Sequence, residues 1–137
     1  MKNHQYIKTF FILFLLLGIS KNNPVWSQKI NVDSLLTVAV KETNQDRNYE
    51  SALKKTQLGM KLAPDYLDFY LLTGRIYQLT NVKDSARYYY KYVIGKNPVY
   101  EDAFTYLINM DIEDKNYADA MITVDKAIEA HPGKKDF

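Results

Sequence analysis

The sequence predicts an all-α chain in which three helical hairpins stack into an α-solenoid. Pro64, Pro98 and Pro132 stand 34 residues apart, and Ala52, Ala86 and Ala120 keep that interval twelve residues upstream. A fixed period of this length marks one supersecondary unit stacked on copies of itself. Apolar residues also recur at helical spacing: Leu35, Leu36 and Ala39, then Phe69, Leu72, Ile76 and Leu79, then Phe104, Leu107 and Ile108.

Rows of 34 beginning at Asp33, Leu67 and Glu101 divide the chain into repeats 33–66, 67–100 and 101–134, after a lead-in at 28–32 and with a tail at 133–137. Each row reads as two helices, at about 34–46 and 49–62, 67–80 and 83–95, and 102–114 and 117–130. Asn48, Asn81 and Asn116 suit the turns between them. Each row closes on its proline, which cannot continue a helix interior.

The alanines have a steric reason. Two antiparallel helices approach closely only where their side chains are small, so Ala52, Ala86 and Ala120 are expected opposite the middle of the preceding helix. Gly74 is the matching small residue in the second row; Val40 and Ile108 hold that position in the others and predict looser packing there. Gly59, Val93 and Ala127 follow seven residues after each alanine. Leu36, Tyr70 and Phe104, with Thr56, Tyr90 and Val124, fill the space between.

This pattern resembles the tetratricopeptide repeat from about Asp33 to Pro132. The second row carries it best, through Tyr70, Gly74, Tyr77, Ala86, Tyr90 and Pro98; Thr43 and Asp111 stand where the other rows should have an aromatic residue. The resemblance implies a right-handed solenoid whose first helices line a concave groove for an extended peptide or a partner helix. Carried onto this chain, the lining is Thr37, Lys41 and Asn44, then Leu71, Arg75 and Gln78, then Thr105, Asn109 and Ile112, with Ser34, Asp68 and Asp102 at its edge. The family's carboxylate clamp is absent: Lys41 falls where asparagine belongs, and Thr37, Leu72, Asp102 and Tyr106 occupy its other places. The expected partner is a protein or peptide held in a mixed polar groove. A shorter stretch, from Leu62 to Asp68 with Leu72, Gly74, Arg75 and Tyr77, resembles the repeat region of YaiO-type outer-membrane proteins.

The N-terminus reads as an export signal. Lys2 and Lys8 precede an unbroken apolar run from Phe10 to Ile19. That is short of the roughly 20 residues that span a bilayer as a helix. Cleavage is expected after Ser27; a cut after Ser20 and an uncleaved anchor are the alternatives. Removing residues 1–27 takes away three lysines and no acid, which turns the net charge from +2 to −1. A near-neutral mature chain gives no electrostatic case for nucleic acid or an anionic membrane, and the localisation implied is periplasmic or secreted.

Chemistry is sparse. No cysteine is present. His131 at a helix end suits the negative helix terminus. Glu101 and Asp102, and Asp111, Glu113 and Asp114, read as a solvated face, with Asp111 and Lys115 an i,i+4 pair. No catalytic residue, metal site or cofactor is predicted, and a hydrolase using these carboxylates is the weakest reading. Tyrosine is abundant, 12 residues in all; Tyr88, Tyr89, Tyr90 and Tyr92 share one helix and are expected to pack between hairpins or to form a contact patch. The last helix carries Met121, Val124 and Ile128 with no capping helix after it. Either a second copy or another molecule covers that end, or the chain is the front of a longer one.

Overall fold

The computed structural model describes residues 30–133. The expected signal segment, the first two residues of the lead-in and all but the first residue of the tail lie outside them. Among the described residues six α-helices follow one another: α1 (Val32–Lys41), which runs on into a π-helical turn (Glu42–Asp46), α2 (Tyr49–Leu62), α3 (Leu67–Leu79), α4 (Lys83–Lys96), α5 (Glu101–Glu113) and α6 (Tyr117–Ala130). Among the described residues there is no strand. Each helix packs on the next, and α3 also touches both α1 and α5. The first helices of the three hairpins therefore stand side by side.

Each hairpin turns at the same place. Arg47, Asn81 and Lys115 hold left-handed backbone, with φ of 52°, 62° and 61°, and they lie 34 residues apart. In the second and third hairpins the following amide closes the helix, Val82 N–H to Tyr77 O and Asn116 N–H to Asp111 O, both at 2.8 Å. These are the long bonds of a Schellman ending. In the first hairpin Asn48 N–H reaches Glu42 O at 2.9 Å, one residue further back. Asn48 then caps α2, its side chain accepting from Ser51 N–H at 3.3 Å.

That extra residue in the π turn shifts the register of α1 against the sequence rows. α1 starts one residue before its row, capped by the Asn31 side chain, which accepts from Asp33 and Ser34. The aspartates in second position of α1, α3 and α5 are Asp33, Asp68 and Asp102, spaced 35 and then 34 residues. The same offset appears in the electrostatics: Asp33 raises the pKa of the Tyr66 phenol, and burial and then Asp68, which accepts from Tyr100, raise that of the Tyr100 phenol. Ala39, not Val40, consequently clusters with Ala52. The looser first crossing predicted from Val40 is corrected on this ground.

The three alanines lie in the core as expected, Ala52 and Ala86 fully buried and Ala120 nearly so. Between the first two hairpins, Leu72 and Ile76 pack on Ala39 and Ala52, and the Phe69 ring lies directly over Gly59. The buried hydroxyls of Thr56 and Thr73 are 2.8 Å apart across the same junction. Between the second and third hairpins, Tyr90 and Val93 pack with Leu71, Leu107 and Met110. The third hairpin closes on Phe104, Ile108 and Ala127.

Two sequence expectations change here. Asp111 is not on a solvated face paired with Lys115. It is only 2% exposed and accepts from Arg87 Nε at 2.9 Å. Asp114 takes Arg87 Nη2 at 2.6 Å and also pairs with Lys83. Thus α4 is tied to the end of α5 by two bases and two acids. The tyrosines of α4 divide as well. Tyr92 stacks on Tyr70 at 4.7 Å and Tyr89 on Tyr77 at 5.8 Å, both within one hairpin. Tyr90 alone reaches the next hairpin, stacking on Tyr106 at 5.6 Å.

Candidate functional site: a cavity on the first-helix face

The side-by-side first helices enclose a cavity of about 170 Å³. Leu36 and Val40 come from α1, and Asn44 from the π turn; Asp68, Leu71, Leu72 and Arg75 come from α3, and Tyr106 from α5. Helical geometry explains the set. Asp68, Leu71, Leu72 and Arg75 fall at i, i+3, i+4 and i+7, one face of α3. Leu36, Val40 and Asn44 run at i, i+4 and i+8 along α1 and its continuation.

The floor is aliphatic and the rim polar. Arg75 donates through Nη1 to the Tyr106 hydroxyl at 2.8 Å, and its guanidinium carbon lies 5.5 Å from the centre of that ring. At the other end the Asp68 carboxylate accepts from Tyr100. Burial, and then this carboxylate acceptor, push the Tyr100 phenol above its usual value. Arg75 is thus held by Tyr106 of the next repeat, and Asp68 by Tyr100, the last residue of its own.

Of the residues carried over from the repeat resemblance, the structure brings Asn44, Asp68, Leu71 and Arg75 together around the cavity. Thr37 and Lys41 stand outside it. Thr37 is exposed and bonds to Asp33 O at 2.8 Å; Lys41 lies 3.8 Å from Asp46. The offset from the π turn explains this, because counting by 34 assigns α1 the residue after the one that faces inward. Leu36 and Val40 were missed for the same reason. The 35-residue gap between Asp33 and Asp68 is the signal that could have found them. Gln78 accepts the Tyr90 hydroxyl at 2.7 Å, and Asp102, Thr105, Asn109 and Ile112 are exposed on α5 beyond the cavity. Tyr106 was read only as a departure from the clamp, although its ring forms one wall.

Among the described residues no cluster of three or more histidine, cysteine or acidic side chains could hold a metal ion. No described helix is long and apolar enough to cross a membrane.

No family model matches the chain, and a search of curated proteins gives no match. Solved structures do match. The type III secretion chaperone SycD of Yersinia enterocolitica, in complex with a peptide of the translocator YopD, superposes with a TM-score of 0.67 at 21% identity, over 76% of this chain and 79% of that one. MamA superposes with a TM-score of 0.68 at 19% identity, over 78% of this chain; the chain spans 62% of MamA. The fold is therefore that of tetratricopeptide-type helical repeat proteins. The resemblance to YaiO-type proteins finds no support in these comparisons.

Proposed function

We propose that this chain is a recognition scaffold that holds an extended protein or peptide segment along the face built by α1, α3 and α5. The cavity at Leu36, Val40, Leu71 and Leu72 is the observation that carries the reading. An aliphatic floor with few, fixed polar groups at its rim is the usual make-up of a binding site. The likeness of the fold to SycD, whose structure contains a translocator peptide, supports it. Selection from a random displayed-peptide library tests it. Enriched peptides should bind the unaltered protein and lose binding to Val40→Glu, which places a charge on the cavity floor. Peptides that ignore Val40→Glu but respond to changes on α2 or α4 would contradict it.

The apolar N-terminal run supports an exported location, periplasmic or secreted. An alkaline phosphatase fusion after residue 137 should be active if the chain crosses the inner membrane of a bacterial host, and inactive if it stays inside.

A second reading is self-association through α6. Tyr117, Met121, Ile122 and Ile128 on that helix are all exposed, Met121 by 62%, and a cluster of this kind often marks an interface. Sedimentation over a hundredfold concentration range should show dimer if the reading holds, and Met121→Glu with Ile122→Lys should restore monomer.

A further inference from the structure

We propose that the cavity selects segments in which one apolar side chain is flanked by a base and an acid in one fixed order along the chain. This rests on the reading of the same face as a peptide site and adds the chemistry of the ligand. Asp68 and Arg75 are seven residues apart on α3, about 10 Å along the helix axis. Leu71 lies between them on the same face, above the floor shared with Leu36 and Val40. The site is thus an apolar cavity with a negative end and a positive end.

Size and spacing agree with such a ligand. An apolar cavity of about 150 Å³ holds a benzene ring, so this one, at about 170 Å³, takes a single leucine-, methionine- or phenylalanine-sized group. Along an extended segment alternate residues face the same side at about 3.3 Å per residue. Charges on the first and fifth residues then span about 13 Å, within side-chain reach of Asp68 and Arg75 while the third residue enters the cavity.

Both rim charges keep capacity for a ligand. The Tyr100 hydroxyl goes to one oxygen of Asp68, Oδ1, and a carboxylate accepts several hydrogen bonds. Arg75 hydrogen-bonds to Tyr106 through Nη1, and a guanidinium has five N–H donors. The two tyrosines fix these side chains before any ligand arrives, which lowers the ordering entropy of binding. Partial burial also leaves the charges less screened than on an open surface. A partner with two like charges would leave one rim group facing its own sign, and such mismatches are how electrostatics reject wrong partners.

The test uses two labelled peptides with the same composition and opposite charge order, lysine–alanine–leucine–alanine–glutamate and its reverse, each within neutral flanks, and reads binding by fluorescence anisotropy at low salt. The two orders should differ by about fivefold or more in affinity, the favoured order reporting the direction in which the segment lies. The double variant Asp68→Lys, Arg75→Glu should invert the preference. Because that variant removes two tyrosine contacts, Asp68→Asn with Arg75→Gln is measured beside it. Asn is isosteric with Asp and keeps a partner for Tyr100, Gln is a shorter neutral amide, and this pair should bind both orders alike. Equal affinity of both orders for the unaltered protein overturns the proposal, as does a preference that survives in the neutral pair or a failure of both peptides to bind. If the orders are equal but binding still falls on Val40→Glu and on replacing the peptide leucine by serine, charge selection fails and the peptide site stands. If Val40→Glu has no effect, the site fails with it.

Discussion

Ala39 clusters with Ala52 where α1 crosses α2, and the π turn at Glu42–Asp46 is what brings it there. Without that turn the 34-residue interval would set Val40 against Ala52 and point Lys41 inward. The first hairpin thus keeps a small-on-small crossing, while Val40 becomes part of the cavity floor.

This register predicts opposite tolerances at two adjacent positions. Ala39→Leu should destabilise the fold by about 1–3 kcal/mol, the usual effect of overpacking a buried crossing. Val40→Leu, at a half-exposed site, should stay within about 0.5 kcal/mol of the unaltered protein. Urea denaturation of both variants decides the matter, and the reverse ranking would return the chain to an uninterrupted 34-residue register.

Glycines give a second contrast. A Cβ on Gly59 would lie 2.3 Å from the Phe69 ring, whereas one on Gly95 would meet nothing within 4 Å. Gly59→Ala should cost about 1–3 kcal/mol as the ring is displaced from its buried seat. Gly95→Ala, inside α4, should gain about 0.4–1 kcal/mol through the unfolded chain. Paired thermal melts should move in opposite directions.

The charge network between α4 and α5 predicts both a mutational and a pH effect. Arg87→Ala leaves the Asp111 carboxylate buried without its guanidinium, a loss of about 3 kcal/mol. Asp114, hydrogen-bonded by Lys83 and by Arg87, is held below the usual carboxylate range, as Glu42 is by Lys55. A depressed acid stabilises the fold at pH values above its unfolded pKa, near 4 for such groups, and that contribution fades as pH falls through the lower folded value. Melting temperature should therefore hold from neutrality to about pH 4 and fall below it. Asp114→Asn should flatten part of that fall, and an unchanged acid profile in this variant would remove Asp114 from the account.

Much of the fold is legible in the sequence because its period is steric. Ala52, Ala86 and Ala120 sit where only a small side chain fits, and the prolines sit where a helix must end. The turn residues were less legible. The left-handed positions follow the 34-residue interval faithfully, but Arg47, Asn81 and Lys115 share no residue type, because the closing backbone bonds to the Glu42, Tyr77 and Asp111 carbonyls impose the conformation. The cavity was half legible. Its α3 wall follows from helical spacing, yet its α1 wall depends on one residue inserted in a turn that counting by rows passes over. Asp111 misled for another reason: an acid beside acids reads as solvated until Arg87, 24 residues away, is seen to reach it.

The central claim is that a ligand lies on the face of α1, α3 and α5, with Val40, Leu71 and Arg75 around its anchoring side chain. Amide and methyl NMR spectra recorded while a selected peptide is titrated into the labelled protein test this most directly. The account predicts the largest shifts at Leu36, Val40, Leu71 and Leu72, small ones at Thr37 and Lys41, and none along α2. Shifts centred on the outer helices, with the cavity methyls unmoved, would contradict it.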